Sequence, residues 1–300
     1  MSKVALVSGA SGIQGRALVL HLSKQDSGWD EIYAVSREPL DFESRAKRIS
    51  FDMYKKEGAK YYGLHLGDAK TPYREDDPRH FPPNFYYDEE DYVIERRKKG
   101  AKWSWSSLRP GCIIGHSLGY MNLLHNIAVY GTLCKELGIA FRFPGTPVAY
   151  KVLLDCVDVD LLADCQIWLA THPQAQNDFY NISNGDQFRF QQLWPVLAKW
   201  FDLEVGPSLR IPLTKFMPHH KDHWASIVEK HGLKDIPFEK VAQWEFADAM
   251  FSVPSDEFGD VAKLRKAGYD KQKLYTEEVF LHKFDTLAKM KIIPPYSKPK

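Results

Sequence analysis

The tightest constraint on how this chain folds lies near its amino-terminal end, in Lys3 to Leu22, KVALVSGASGIQGRALVLHL. Val4-Ala5-Leu6-Val7 is an unbroken apolar run, the pattern of a buried parallel strand. Gly9, Gly12 and Gly15 follow with the spacing G-x-x-G-x-x-G, and Ala17, Leu18, Leu20 and Leu22 continue as a helix packed on a sheet would. Glycine turns tightly and lets backbone N–H groups approach a pyrophosphate with no Cβ in the way. The helix start adds its own unpaired N–H groups and its positive dipole end. Gly9, Ser11, Gly12, Ile13 and Gly15 are therefore the expected phosphate cradle of a bound dinucleotide. The competing reading is a glycine turn in an α/β protein that binds nothing.

Glu31 to Arg37, EIYAVSR, reads as the second strand. In a dinucleotide fold the end of that strand faces the adenosine ribose. A carboxylate there suits the 2′-hydroxyl of NAD, and an arginine suits the 2′-phosphate of NADP. Ser36 and Arg37 occupy the position, which favours NADPH/NADP+ over the unphosphorylated cofactor; otherwise Arg37 is a solvated loop charge. Arg48 to Asp52 predicts a short third strand. Asp52 is either a contact to the adenine amino group or a surface carboxylate.

The chain then departs from a doubly wound pattern. Such a fold calls for further strand–helix–strand units of about 30 residues each. Met53 to Gly58 is short and polar, and no apolar run of that kind appears before the strand Trp103–Arg109, which leads into Pro110-Gly111. Between them lie a proline-rich loop, His65 to Pro83, the tetrad Asn84-Phe85-Tyr86-Tyr87, and a helix from Asp88 to about Lys99. Asn84 or Asp88 is the expected cap of that helix. Its early carboxylates, Asp88 to Asp91, and its late cations, Arg96 to Lys99, suit the two ends of the dipole. Helices are predicted over 121–137, 160–170 and 190–201, and strands over 140–145 and 179–185. The stripe Leu193, Trp194, Leu197, Trp200 and Phe201 reads as core. From Pro207 onward the pattern is helical pieces broken by prolines, with Trp224, Trp244 and Phe246 as packing residues. The expected division is a nucleotide-binding region over 1–185 and a mainly helical, intertwined substrate region over 186–300.

A net charge of +1, from 40 Lys+Arg against 39 Asp+Glu, gives no support to nucleic-acid binding as the main activity. Cys112, Cys134, Cys156 and Cys165 form no C-x-x-C pair and sit in apolar surroundings, which suits reduced core thiols of a cytosolic protein. The first residues lead straight into a strand, so no signal peptide is expected, and no apolar run is long enough to cross a bilayer.

Taken together, VALVSGASGIQG, Ser36-Arg37, GAKYYGLHLG, NFYYDEEDY, WSSLRPGCIIG and NISNGDQFRFQQLWPVLAKWF make the chain resemble the short-chain dehydrogenase/reductase superfamily. More closely, it resembles the progesterone 5β-reductase/iridoid-synthase-like (PRISE) enone reductases, including fungal members. The glycine loop is generic; NFYY-x-x-ED and K-x-Y-x-G carry the closer resemblance. The resemblance implies NADPH-dependent addition of hydride to the β-carbon of an enone, with a tyrosine hydroxyl holding the developing enolate oxygen. It puts Tyr86 in that role and Lys60 beside it, with the strand end Pro110 to Ile113 against the nicotinamide. A phenol can donate to an oxyanion, and an ammonium nearby favours negative charge on both. The Tyr-x-x-x-Lys of ordinary superfamily members is absent from this region; Tyr269-x-x-x-Lys273 lies far past it and reads as chance. Relatives have Asn where Cys112 stands, and about one to two further βαβ units after Met53. Loss of those strands leaves a sheet edge unpaired beside the first strand.

The expected fold is α/β, a Rossmann-like doubly wound parallel sheet with a smaller helical C-terminal substrate lobe and a sheet left incomplete by the short join. The expected function is NADPH-dependent reduction of an enone or related carbonyl compound, with no metal, nucleic acid or membrane, and with a homodimer left open. The alternatives are a truncated nucleotide-binding protein without turnover and a nucleotide-sugar epimerase or dehydratase.

Overall fold

The computed structural model describes residues 3–36, 39–50, 61–62, 70–80, 84–118 and 121–296. In chain order the elements are β1 (Val4–Ser8), α1 (Ile13–Leu22), β2 (Glu31–Ser36), β3 (Lys47–Ser50), α2 (Phe85–Lys98), β4 (Ser106–Pro110), β5 (Cys112–Ile114), α3 (Leu123–Leu137), β6 (Phe141–Arg142) and β7 (Cys156–Asp158). After these come α4 (Val159–Thr171), β8 (Asp178–Ile182), α5 (Phe190–Trp200) and β9 (Val205–Gly206). The chain ends with α6 (Leu213–Phe216), α7 (Lys221–His231), α8 (Phe238–Val241), α9 (Trp244–Met250), α10 (Ala262–Lys266) and α11 (Thr276–Lys289). They fall into two compact units, neither of them one continuous stretch. One comprises Met1–Gly111, Val159–Gly185 and Glu257–Lys273; the other comprises Cys112–Asp158, Asp186–Asp256 and Leu274–Lys300. The boundary expected between 185 and 186 is one of the places where the chain changes unit.

In the first unit β1, β2 and β3 make a parallel sheet in that order, with Val4 opposite Glu31 and Tyr33 opposite Lys47. One face is a small core: Val7 and Ala10, Ile32 and Ala34, and Val19 and Leu22 of α1 are buried together, with Ile167 of α4 against them. A hydrogen bond between His21 Nε2 and Asp160 Oδ1, at 3.1 Å, also joins α1 to α4. Helix–sheet packing of this kind is what the apolar spacing of Ala17 to Leu22 predicts. The other face differs from a strand buried on both sides: Val4 is 53% and Leu6 68% exposed. Among the described residues β1 pairs with β2 alone. Among the described residues β1 therefore has a strand partner on one side only, and Val4 and Leu6 on its outward face stand exposed. No strand is found among the described residues between β3 and β4. β4 instead pairs in parallel with β8, from Ser106 opposite Asp178 to Pro110 opposite Ile182.

The second unit is built around α3, α5 and α11. Phe141, Phe143, Phe190, Trp194, Phe201 and Phe251 are buried in one aromatic cluster, with Phe141 and Trp194 stacked at 4.4 Å between centroids. The α5 stripe is core, as its periodicity implies, and Trp224 and Trp244 are buried too. Short parallel pairs, β5 with β7 and β6 with β9, complete the unit. Several boundaries move from their expected places. Trp103 and Trp105 lie outside β4, and the helix expected from Asp88 starts at Phe85 because Asn84 caps it. No helix among the described residues is long and apolar enough to cross a membrane.

Among the described glycines of the first unit the tightest approach is at Gly15, where an added Cβ would stand 2.2 Å from Gly9 O and 2.7 Å from Gly9 C. Both are main-chain atoms, so no rotamer relieves the clash. Gly15→Ala is expected to destabilise the protein by about 1–3 kcal/mol, the usual range for overpacking, as read from urea unfolding.

Candidate active site

The glycine turn has the shape a pyrophosphate needs. Gly9 adopts φ 67°, a left-handed conformation that favours glycine, and a Cβ there would meet open space. Gly12 N donates to Gly9 O at 2.9 Å, and Ala10 N donates to Val35 O at 3.0 Å, fixing the turn to β2. Gly12 is the N-cap of α1, and no side chain caps the helix start, which leaves its first N–H groups to face an anion. Ser11 and Ile13 are half-buried in the same turn. The residues therefore fit the phosphates of a dinucleotide. At the end of β2, Ser36 is buried and its Oγ accepts a hydrogen bond from Arg48 Nε at 3.2 Å. Arg37, Asp52 and Lys60 lie outside the described residues. Arg48, expected from sequence only as the start of a strand, is a cation beside the end of β2. The signal for it is the strand pairing itself, which sets Arg48 opposite Ala34, two residues before Ser36.

The adjacent tyrosines of α2 differ sharply. Asn84 accepts a hydrogen bond from Tyr86 N at 3.1 Å through its side chain, which sets the first turn of the helix. Tyr87 is buried, and its hydroxyl is fully used: it donates to Tyr61 O at 2.8 Å and accepts from His80 N at 3.1 Å. Tyr86 is 37% exposed, its ring tilted against Phe85 and Tyr61, and its hydroxyl makes no hydrogen bond among the described residues. Burial, with Glu89 nearby, pushes the Tyr86 phenol above its ordinary pKa, so it remains a proton donor at neutral pH.

Below these tyrosines lies a buried polar network. Arg109, near the end of β4, donates to Glu90 Oε1 from Nε at 3.2 Å and from Nη2 at 2.9 Å. Both side chains are nearly inaccessible to solvent. The same guanidinium donates to the hydroxyls of Tyr61 and Tyr62 and to Glu75 O, and lies 3.7 Å from the centroid of the Tyr61 ring. Tyr61 in turn donates to Glu90 Oε2 at 2.6 Å, and Tyr62 donates to Asn181 Oδ1 of β8 at 2.5 Å. Burial pushes the Tyr61 phenol up strongly and that of Tyr62 up to about 12, so both remain donors. Burial opposes the charge of Arg109, but its hydrogen bonds to Tyr62 and Glu90 outweigh that and keep the guanidinium protonated. The acidic run of α2 is therefore not wholly a solvated dipole partner. Glu90 faces inward three residues after Tyr87, a helical spacing that marks the buried face. The exposed Arg96 to Lys99 cluster is the solvated helix end expected of it. Tyr269 is buried, its hydroxyl donating to Asp164 Oδ2 at 2.9 Å, while Lys273 pairs with Asp270; the two do not form a reductase pair. Pro110 and Ile113 fall on either side of the point where the chain passes from the first unit to the second.

The fold has wide company among solved structures. A UDP-glucose 4-epimerase from Thermotoga maritima superposes with a TM-score of 0.64 at 13% identity, covering 95% of this chain and 99% of that one. RMD from Pseudomonas aeruginosa, solved with NADPH, superposes with a TM-score of 0.56 at 14% identity, over 95% and 100%. At such identities the likeness is one of fold, and the class it defines is Rossmann-like α/β. The profile of the PRISE-like Rossmann-fold domain matches residues 48–294, and the chain belongs to that family. An (S)-8-oxocitronellyl enol synthase from Nepeta racemosa is 40% identical over 188 residues, 61% of this chain and 48% of its own. A 3-oxo-Delta(4,5)-steroid 5-beta-reductase from Arabidopsis thaliana is 35% identical over 186 residues, again 61% and 48%. The chain thus spans about half the length of these curated relatives. An uncharacterized protein from Schizosaccharomyces pombe aligns over 404 positions at 28% identity, covering 97% of this chain and 98% of its own. With 300 residues here, at least 404 − 300 = 104 of those positions have no counterpart. That shortfall exceeds the one to two βαβ units expected from sequence.

Glu90→Leu leaves the Arg109 charge buried without its carboxylate and is expected to cost about 3–5 kcal/mol in urea unfolding. Adding Arg109→Met should recover most of that loss, since an apolar pair replaces a broken ionic one. Glu75 supplies a pH-dependent contrast. Its Oε1 accepts from Asn181 N at 2.7 Å, and burial raises its pKa despite that hydrogen bond. A raised folded-state value means that its contribution is favourable in acid, below the unfolded pKa of about 4.3, and is lost as pH rises. Glu75→Gln should therefore raise Tm at about pH 7, with the gain shrinking toward about pH 4.

Proposed function

We propose that this chain is an NADPH-dependent reductase acting on the carbon–carbon double bond of an enone or on a related carbonyl compound. The observation that carries this reading is Tyr86: a half-exposed, protonated phenol with no protein acceptor among the described residues, set beside a Tyr87 whose hydroxyl is fully engaged. The family supports the reaction class, since the named relatives include an enol synthase and a steroid 5-beta-reductase. Bound NADPH would supply the hydride. Gly9, Ser11, Gly12, Ile13 and Gly15 would hold its pyrophosphate through backbone N–H groups, with Ser36, Arg37 and Arg48 around the 2′-phosphate and Asp52 at the adenine. Pro110, at the end of β4, would stand against the nicotinamide. Tyr86 would donate its hydroxyl proton in a hydrogen bond to the substrate carbonyl oxygen and hold it as negative charge develops there. Lys60, directly before the anchored Tyr61, would favour that charge. A neutral phenol is required for the role, and the raised Tyr86 pKa maintains it up to alkaline pH.

A second reading, a nucleotide-binding protein without turnover, draws on the length difference from the Schizosaccharomyces pombe relative. Titration with NADPH followed by fluorescence, then turnover of 2-cyclohexen-1-one or progesterone, separates the two. Binding with turnover supports the reductase, binding alone supports the second reading, and no binding removes both. In an active enzyme Tyr86→Phe should lower kcat by about 10²–10³-fold with NADPH affinity unchanged. Arg48→Ala should weaken NADPH more than NADH.

A further inference from the structure

Cys112 opens β5 and Cys156 opens β7, and the two residues are direct partners in the parallel register. Register partners on neighbouring parallel strands project to the same face, and such strands lie about 4.8 Å apart. That spacing falls inside the roughly 4.4–6.8 Å range of Cα separations that a disulfide spans. The two thiols differ in access: Cys112 is partly exposed, while Cys156 is buried beside Thr276, its sulfur 3.4 Å from Oγ1. Burial first, and then the neighbouring Cys112 among other charges, pushes the Cys156 thiol well up, so Cys156 is inert until a sulfur electrophile forms next to it. Cys134 and Cys165 lie on α3 and α4, both buried, and burial pushes Cys134 up to about 12.

We propose that Cys112 and Cys156 are a peroxide-oxidisable thiol pair that closes to a reversible cross-strand disulfide. In the first step the Cys112 sulfur attacks hydrogen peroxide. An S–O bond forms, the O–O bond breaks, and hydroxide leaves as water after taking the thiol proton. Cys112 becomes a sulfenic acid, oxidised by two electrons as the peroxide is reduced. In the second step the Cys156 sulfur attacks the Cys112 sulfur. The S–S bond forms, the S–O bond breaks, and a second water leaves with the Cys156 proton. An added dithiol reverses the bond by exchange. The pairing asks nothing of the proposed reductase activity, so it stands or falls separately from it.

The test treats the full-length protein with hydrogen peroxide, blocks remaining thiols, and maps peptides without reduction. The expected result is a linked pair of peptides carrying Cys112 and Cys156, a mass lower by two hydrogens, and return of both thiols with dithiothreitol. Cys156→Ser should leave Cys112 as a sulfenic acid that reacts with dimedone, and Cys112→Ser should leave Cys156 reduced. Circular dichroism of each variant checks that it folds. Over-oxidation of Cys112 to the sulfinic acid in the unmutated protein, with Cys156 still a thiol, would overturn the proposal. So would oxidation of Cys134 or Cys165 at an equal rate, since the register would then confer no advantage.

Discussion

The first unit depends on one buried ion pair. Arg109 of β4 and Glu90 of α2 meet out of water, and neither charge is tolerable there alone. The cost is met by saturation: the guanidinium also reaches two phenols and a backbone carbonyl, and the carboxylate also accepts from Tyr61 and from Arg79. The network binds α2 to β4 and, through Tyr62 and Asn181, to β8. It also grips the chain directly after Lys60. Tyr61 is held at its hydroxyl and at its carbonyl, the latter accepting from Tyr87 and Asn84. These hydrogen bonds fix Tyr61 against α2 and leave Tyr86 as the phenol facing outward.

The nucleotide end rests on a different kind of constraint, one of exclusion. Gly15 admits no Cβ because the turn passes so close to the start of α1, and that close approach sets the cradle shape. The cradle is held from both sides of α1: the helix packs on β1 and β2 and, through Ile167 and the His21–Asp160 hydrogen bond, against α4. On the other face of β1, Val4 and Leu6 stand in water among the described residues.

Sequence patterning was legible wherever the structure is local. The strand–glycine turn–helix, the α5 core stripe and a side-chain cap at the start of α2 each follow from spacing or backbone chemistry. The apolar run of β1 reads as buried on both faces, yet among the described residues Val4 and Leu6 are exposed, because periodicity reports a strand's pattern and not its neighbours. The roles of Glu90 and Arg109 were not legible. A carboxylate in an acidic run and an arginine before a proline have many environments, and only contact over long sequence separation selects one. The two-unit division was hidden likewise, because each unit is assembled from three separated stretches.

From the sequence alone came the Rossmann-like class, the family, and the expectation, drawn from resemblance, that Tyr86 is the working phenol. These rest on residue type and short-range spacing, which the linear chain carries in full. Tertiary structure alone decided which of the two phenols is engaged, which acidic side chain is buried, and which two cysteines stand opposite each other. Each of those depends on what another segment brings alongside, and burial and pairing are properties of that meeting rather than of either segment.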